Sequence, residues 1–335
     1  MLFSSRPCLP ASQATSLTRR TILASPLLMT GIGSASAQNL SGRPIKLVVP
    51  FGAGSEPDIL ARRLAAAMQE VLAQPVVVDN RPGANTAIAA NHVLQSPPDG
   101  ETLLLTSSTT FATLPNLYAE PQVRIEQFMP MTMIMRAHMV LYCSMAVPAT
   151  TVAEFIQYAK AQPQPVLYGA NLGAIGHLCG EMMKQKTGVQ MTDVPYRSSL
   201  VLQQMLLRDD VQTGFDGVPA HAGLVADGKL RALGVTCNQR VPLLPGTPTL
   251  VEAGYPDIAI PYWYGLFAPK GTPQPVFDRI VDAVHKTQAA GKIGKQFEPQ
   301  GAQIEGNSPA EFATMIASER ETWGALIRSI GLKLG

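Results

Sequence analysis

Two short stretches of this chain carry residues suited to holding an anion. The first runs Leu47-Val48-Val49-Pro50-Phe51-Gly52-Ala53-Gly54-Ser55-Glu56-Pro57-Asp58 and leads into Ile59-Leu60-Ala61-Arg62. The second runs Val166-Leu167-Tyr168-Gly169-Ala170-Asn171-Leu172-Gly173-Ala174-Ile175-Gly176-His177-Leu178. Each reads as an apolar strand, a glycine-bearing loop and a helix start. Glycines let backbone N–H groups approach a ligand closely, and the first turn of a helix offers unpaired donors at the positive end of its dipole. Two such loops facing each other across a cleft would grip a carboxylate from both sides. The same spacing also describes ordinary strand–helix turns, so spacing alone leaves both readings open.

The side chains around these loops have competing roles. Asp58 at a helix start favours bonding to backbone donors and shaping its loop, because as a ligand contact it would repel an anion. Glu56 either points to solvent, the default for a carboxylate, or selects a ligand carrying a donor or a positive group. His177 is best read as a helix-start side chain that orients the second loop, with direct ligand contact as the alternative. Asn171-Leu172-Gly173-Ala174-Ile175-Gly176 falls one glycine short of a dinucleotide fingerprint, and Pro57 stands where the first loop would need its third glycine. No G-x-S-x-G, H-E-x-x-H or G-x-x-x-x-G-K-[ST] pattern occurs, and the five histidines are scattered. No cofactor or metal is expected.

Export is written at the start of the chain. Arg6, Arg19 and Arg20 precede the apolar run Thr21–Met29, and Ala35-Ser36-Ala37 supplies an A-x-A site, which predicts a signal peptide over 1–37 cut after Ala37. The Arg19-Arg20 pair favours the twin-arginine route over an ordinary Sec signal. Removing those three arginines from the 26 basic residues leaves 23 against 24 acidic ones, so nucleic acid is not an expected partner. Later segments are too short and too polar to span a bilayer, which predicts a soluble periplasmic protein. Cys8 leaves with the signal. Cys143, Cys179 and Cys237 form an odd set without metal-ligand spacing, expected as buried thiols, with a single bridge as the alternative.

From Ile45 onward, short aliphatic runs alternate with helical periodicity, the pattern of an α/β protein with largely parallel sheets. Strands are expected at Ile45–Phe51, Val76–Asp79, Thr102–Thr106, Met139–Cys143, Val166–Gly169, Gln190–Val194, Val211–Phe215, Leu230–Thr236 and Tyr262–Ala268. Leu60, Leu64, Met68 and Val71/Leu72 make the core stripe of the first helix. Capping boxes at Thr151–Glu154 and Ser308–Glu311 open two further helices, and Thr272-Pro273 is expected to open another. Turn chemistry at Ala146–Thr150 and Gly254–Asp257 suggests an inserted middle segment. Lobe I would comprise 38–143 plus 263–335, and lobe II 144–262.

A set of separated motifs then resembles the periplasmic solute receptors of the tripartite tricarboxylate transporter, or Bug, family. These are Val49-Pro50-Phe51 with Gly54, Asp58, Ala61 and Arg62; Gln74–Ala84; and Pro98-Asp99-Gly100 with Thr102-Leu103-Leu104. Later come His177-Leu178 with Gly180-Glu181, Val194–Arg197, Phe215-Asp216, Gly228–Leu233, Pro248-Thr249 with Glu252–Gly254, and Trp263–Pro269 with Gly271–Pro273. They follow in order over almost the whole mature chain.

The resemblance implies a type II-like periplasmic binding fold, two α/β lobes closing like a flytrap on a small carboxylate-bearing molecule. Carried over by position, Phe51, Gly52, Ala53, Gly54, Ser55 and Asp58 form one jaw. Ala170, Asn171, Gly173, Ala174 and His177 form the other, with Ser107, Thr109, Tyr196 and Asp216 lining the cleft. Implied partners are the permease subunits of a tripartite tricarboxylate-type transporter, or a sensor protein, with the receptor itself monomeric. Ser55, Pro57, Ala174 and Ser198 depart from the family pattern. The competing class is an exported α/β enzyme with Asp58, His177 and Asp216 as acid/base candidates, although no convincing nucleophile accompanies them.

Overall fold

A computed structural model describes residues 42–334, so the expected signal peptide and its cleavage site lie outside the described residues. Among the described residues, ten strands form two five-stranded sheets. The strands are β1 (Ile45–Val49), β2 (Val76–Asn80), β3 (Thr102–Ser107), β4 (Phe128–Ala137), β5 (Met139–Ser144), β6 (Val166–Ala170), β7 (Met191–Pro195), β8 (Thr213–Gly217), β9 (Leu230–Val235) and β10 (Tyr262–Pro269). The helices are α1 (Glu56–Leu72), α2 (Ala87–Leu94), α3 (Leu114–Leu117), α4 (Val152–Ala161), α5 (Ile175–Thr187), α6 (Ser199–Leu207), α7 (Val218–Ala226), α8 (Gln274–Ala289) and α9 (Pro309–Ser329).

The two sheets repeat one plan. The first has the order β2-β1-β3-β10-β4 and the second β7-β6-β8-β5-β9. In each, two parallel pairings are followed by two antiparallel ones, so the sheets are mixed: one strand, β10 or β5, runs against the other four. The physical reason is the crossing of the chain. Strand β5 enters the second sheet straight after β4 leaves the first, and β10 returns to the first from the opposite direction. Only His138 separates β4 from β5.

Each sheet is covered on both faces, as parallel strands require. In the first, Ile45, Leu47 and Val49 pack with Leu60, Leu64 and Met68 of α1 and with Ile280 and Val284 of α8. The alternate residues Val48 and Leu104 face Phe111, Trp263, Phe267 and Phe312. In the second, Val140 and Tyr142 meet Leu202, Leu206 and Ala222 of α6 and α7.

Nine of the ten strands lie where the sequence pattern places them. Strand β4 was not anticipated, because its Phe-Met-Pro-Met-Thr-Met-Ile-Met core is methionine-rich rather than β-branched and contains Pro130. The proline is accommodated because β4 is an edge strand with register shifts against β10. On α1, Leu60, Leu64, Met68 and Leu72 are buried, but Val71 is 42% exposed and does not belong to the stripe. Thr151 and Ser308 accept from the N–H groups of Glu154 and Glu311 as expected. Thr272 does not cap α8; its hydroxyl donates to the Pro269 carbonyl, and Pro273 takes the cap position. Cys143, Cys179 and Cys237 are free, buried thiols, and burial pushes the first two up to about 12. Among the described residues no helix is long and apolar enough to cross a membrane.

Candidate functional site

Both glycine-bearing loops run from a strand end into a helix start, and both are held by the same device. In the first, Gly54 adopts φ +80°, and its N–H donates to Asp58 Oδ2 at 2.8 Å. Asn80 Nδ2 donates to Asp58 Oδ1 at 2.9 Å and to the Phe51 carbonyl at 3.0 Å, which pins the loop to the end of β2. Arg62 Nε reaches Asp58 Oδ2 at 3.0 Å. Burial alone raises an acid, but the bonds from Arg62, Gly54 and Asn80 outweigh it and hold the Asp58 carboxyl below its ordinary range.

In the second loop, Gly173 adopts φ +82°, and its N–H donates to His177 Nδ1 at 3.1 Å. Burial lowers the pKa of His177, against the opposing pull of Glu181 and Asp193, so the ring is neutral and Nδ1 is free to accept. Thr113 Oγ1, from the first half of the molecule, donates to the Gly173 carbonyl at 2.8 Å. Neither Ser55 nor Ala174 caps its helix through a side chain. The first-turn N–H groups of α1 and α5 are therefore not taken by a side-chain cap, as an anion site requires.

Between the loops lies a cavity of about 620 Å3. The first half contributes Phe51, Gly52, Thr109, Thr110, Leu114, Tyr118 and the segment 82–87, and the second contributes Asn171, Leu172, Ala174 and Arg197. Among the described residues of its lining, Arg197 is the single charged side chain and no carboxylate is present. One wall is strained. Ala84, Asn85 and Thr86 take φ values of 45°, 47° and 77°, an uncommon run for residues with side chains. It is braced by Thr110 Oγ1, which donates to Thr86 Oγ1 at 3.0 Å and pairs with Thr106 Oγ1 at 2.6 Å, and by Asn85 Nδ2, which donates to Tyr118 Oη at 2.9 Å.

Of the residues singled out by sequence, Phe51, Gly52, Thr109, Asn171 and Ala174 line this cavity. Ala53 and Gly54 are exposed on the first loop, and Ser55 folds its hydroxyl back onto the Gly52 carbonyl at 2.6 Å. Asp58 and His177 lie buried beneath their loops. Ala170 and Ser107 end buried strands, and the Ala170 carbonyl accepts from the Tyr196 N–H. Tyr196 and Asp216 sit apart from the cavity lining; Tyr196 Oη donates to the Phe215 carbonyl at 3.5 Å and Asp216 Oδ1 accepts from the Gly217 N–H at 2.8 Å.

Arg197, Asn85, Thr86, Thr110 and Tyr118 were not anticipated. The Pro82-Gly83 turn was the one available signal for part of that wall. Glu56 corrects the default reading: it does not simply point to solvent, because Tyr262 and Tyr264 both donate to its Oε2, at 2.7 and 3.0 Å. His177, Glu181 and Asp193 bring ligand atoms within 4.8 Å of one another. That grouping is already used otherwise, since Lys184 Nζ pairs with Glu181 at 2.8 Å and His177 Nδ1 holds the loop.

A family model described as the tripartite tricarboxylate transporter family receptor matches residues 60–332. A UPF0065 protein of Bordetella pertussis is 33% identical over 319 residues, covering 95% of this chain and 98% of its own. The periplasmic binding protein BugD superposes with a TM-score of 0.77 at 31% identity, over 87% of this chain and 98% of that one. An R. palustris protein solved with adipate gives 0.79 at 33% identity, over 87% and 98%. With two mixed sheets, paired loops and a cavity between them, the chain belongs to the tripartite tricarboxylate transporter receptor family.

Proposed function

We propose that this chain is an exported, periplasmic receptor that captures a small carboxylate-bearing metabolite and delivers it unchanged to a tripartite tricarboxylate-type permease. The observation that carries this is the cavity between the two loops, whose lining has one arginine, several hydroxyl and amide side chains, and no acid among the described residues. Such a lining favours an anion, and the uncapped starts of α1 and α5 supply directed donors. Adipate in the R. palustris relative supports the same ligand class.

The jaws are the segments 51–58 and 170–177, with Ser107, Thr109, Tyr196 and Asp216 nearby. Sheet membership supports lobes that meet at His138, so that Met139 onward belongs to the inserted lobe and 262–334 returns to the first. Ligand contact with both jaws favours closure, because only differential affinity for the closed form shifts that equilibrium. A receptor rather than an enzyme is supported by the acid/base candidates themselves: Asp58 and His177 are tied to backbone N–H groups. The export signal over 1–37, cleavage after Ala37, the twin-arginine route and a monomeric state complete the reading.

A thermal-shift screen of mono-, di- and tricarboxylates, amino acids and aromatic acids tests it. At least one acid should raise the melting temperature of the wild type and be recovered chemically unchanged. Arg197→Ala should weaken that response and Gly54→Asp should abolish it. Full retention in both variants sinks the site assignment, and turnover of the ligand sinks the receptor assignment.

A further inference from the structure

Glu56 opens α1, beside a loop suited to anions, and among the described residues no cationic side chain pairs with it. Both tyrosine hydroxyls that reach it, from Tyr262 and Tyr264, go to Oε2. Asp216 approaches from the second sheet at the end of β8. Its Oδ1 accepts from the Gly217 N–H, while its Oδ2 is buried and accepts no hydrogen bond among the described residues. His221 Nε2 lies 3.2 Å from that oxygen, close enough to pair with it when the ring is protonated, although neither nitrogen of this fully buried ring makes a hydrogen bond among the described residues.

The two acids share one neighbourhood. A Cβ built on Gly217 would meet the Tyr262 hydroxyl at 3.3 Å, and the Asp216 charge is felt by Glu56, Tyr262 and Tyr264. Both carboxylate residues remain partly reached by solvent. The two tyrosines that reach Glu56 meet edge to face at 5.6 Å, and Phe51, itself on the cavity wall, stands edge to face with Tyr264 at 6.2 Å.

We propose that Glu56 and Asp216, with Tyr262 and Tyr264, form a subsite for the ammonium group of a zwitterionic ligand whose carboxylate is held at the two loops. An ammonium brings a positive charge, three donors for the carboxylates, and an attraction to the tyrosine rings. Burial and the Asp216 charge both raise the pKa of Glu56, and a bound cation opposes both effects. A second ligand carboxylate at this place would instead add a third negative charge. The subsite rests on the carboxylate-receptor reading above.

Isothermal titration near neutral pH with length-matched probes tests it: 4-aminobutyrate against succinate and butyrate, and 6-aminohexanoate and norleucine against adipate and hexanoate. At least one zwitterion should bind about tenfold tighter than its matched acids, roughly 1.4 kcal/mol. Glu56→Gln and Asp216→Asn should each erase that preference, read as the ratio of zwitterion to matched-acid affinity within the same variant. Acids that bind as tightly as zwitterions, or a preference that survives in either folded variant, overturn the subsite and leave the carboxylate receptor standing. Failure of every probe to bind overturns the subsite, while the wider acid screen above decides the receptor reading. If neither variant folds, the wild-type preference alone decides.

Discussion

Asp58 and His177 occupy the same place in two helices: each is the third residue of its helix and accepts the N–H of the glycine four positions earlier. Both glycines are left-handed, at +80° and +82°. One acceptor is an anion and the other a neutral ring, so the two loops share a shape but respond differently to pH.

Replacing Asp58 by alanine leaves the Gly54 N–H and the Asn80 amide without their acceptor. A loss of about 3 kcal/mol in urea denaturation is expected, since each buried unsatisfied group costs about 1–3 kcal/mol. The carboxyl of Asp58 lies below its ordinary value of 3.8 in the fold, so it contributes stability above that pH and loses it as pH falls through the folded value. Asp58→Asn should therefore show a shallower acid limb than the wild type.

For His177 the sign is reversed in origin but not in direction. Its folded pKa lies below the ordinary 6.5, so the unfolded chain binds the proton first and stability declines as pH falls below 6.5. His177→Asn offers an acceptor to the Gly173 N–H and carries no proton to gain. Its urea midpoint should stay flat from neutral to mildly acidic pH while that of the wild type drops, and His177→Ala should lose about 2 kcal/mol at neutral pH.

The two left-handed glycines differ in their surroundings. A Cβ on Gly54 meets nothing within 4 Å, whereas one on Gly173 would come within 2.6 Å of Leu117 Cδ1 and 2.9 Å of Leu334 Cδ1. Gly54→Ala should cost about 1–2 kcal/mol from backbone strain alone. Gly173→Ala should cost measurably more in the same denaturation assay; equal losses would contradict the packing.

Trp263 Nε1 donates to Glu319 at 2.7 Å, and burial, partly offset by that bond and by Arg136, raises the Glu319 carboxyl to about 7. A raised acid contributes stability below its unfolded value, lost as pH climbs through the folded one. Glu319→Gln keeps an acceptor for Trp263 without the charge. The variant should match or exceed the wild type in melting temperature above pH 7 and lose the advantage toward pH 5.

Much of this architecture was legible in the chain because strands buried on both faces leave short aliphatic runs, set between helices whose apolar positions recur at helical spacing. The two loops were legible for the same reason: strand, glycine and helix start follow one another locally. Glu56 was not, because its partners Tyr262 and Tyr264 lie on β10, and nothing near residue 56 announces a strand that returns from so far along the sequence. Arg197 was passed over in favour of its neighbour Tyr196, yet the arginine lines the cavity while the tyrosine is buried and not part of the lining. Strand β4 was hidden by composition, since methionine carries little β preference and Pro130 argues against a central strand.

The crossing of the chain also sets an order of assembly. Every strand of the second sheet lies within Met139–Val235, whereas β10 begins at Tyr262 and is, among the described residues, the one strand paired with β4, whose other bridge, to Gln303, comes later still. A chain synthesised only as far as Pro261 can finish its second sheet, while its first remains three strands wide and β4 has nothing to pair with. The half that begins first is thus completed last, and the pairing that closes it is among the most distant in sequence, the kind of contact that slows folding.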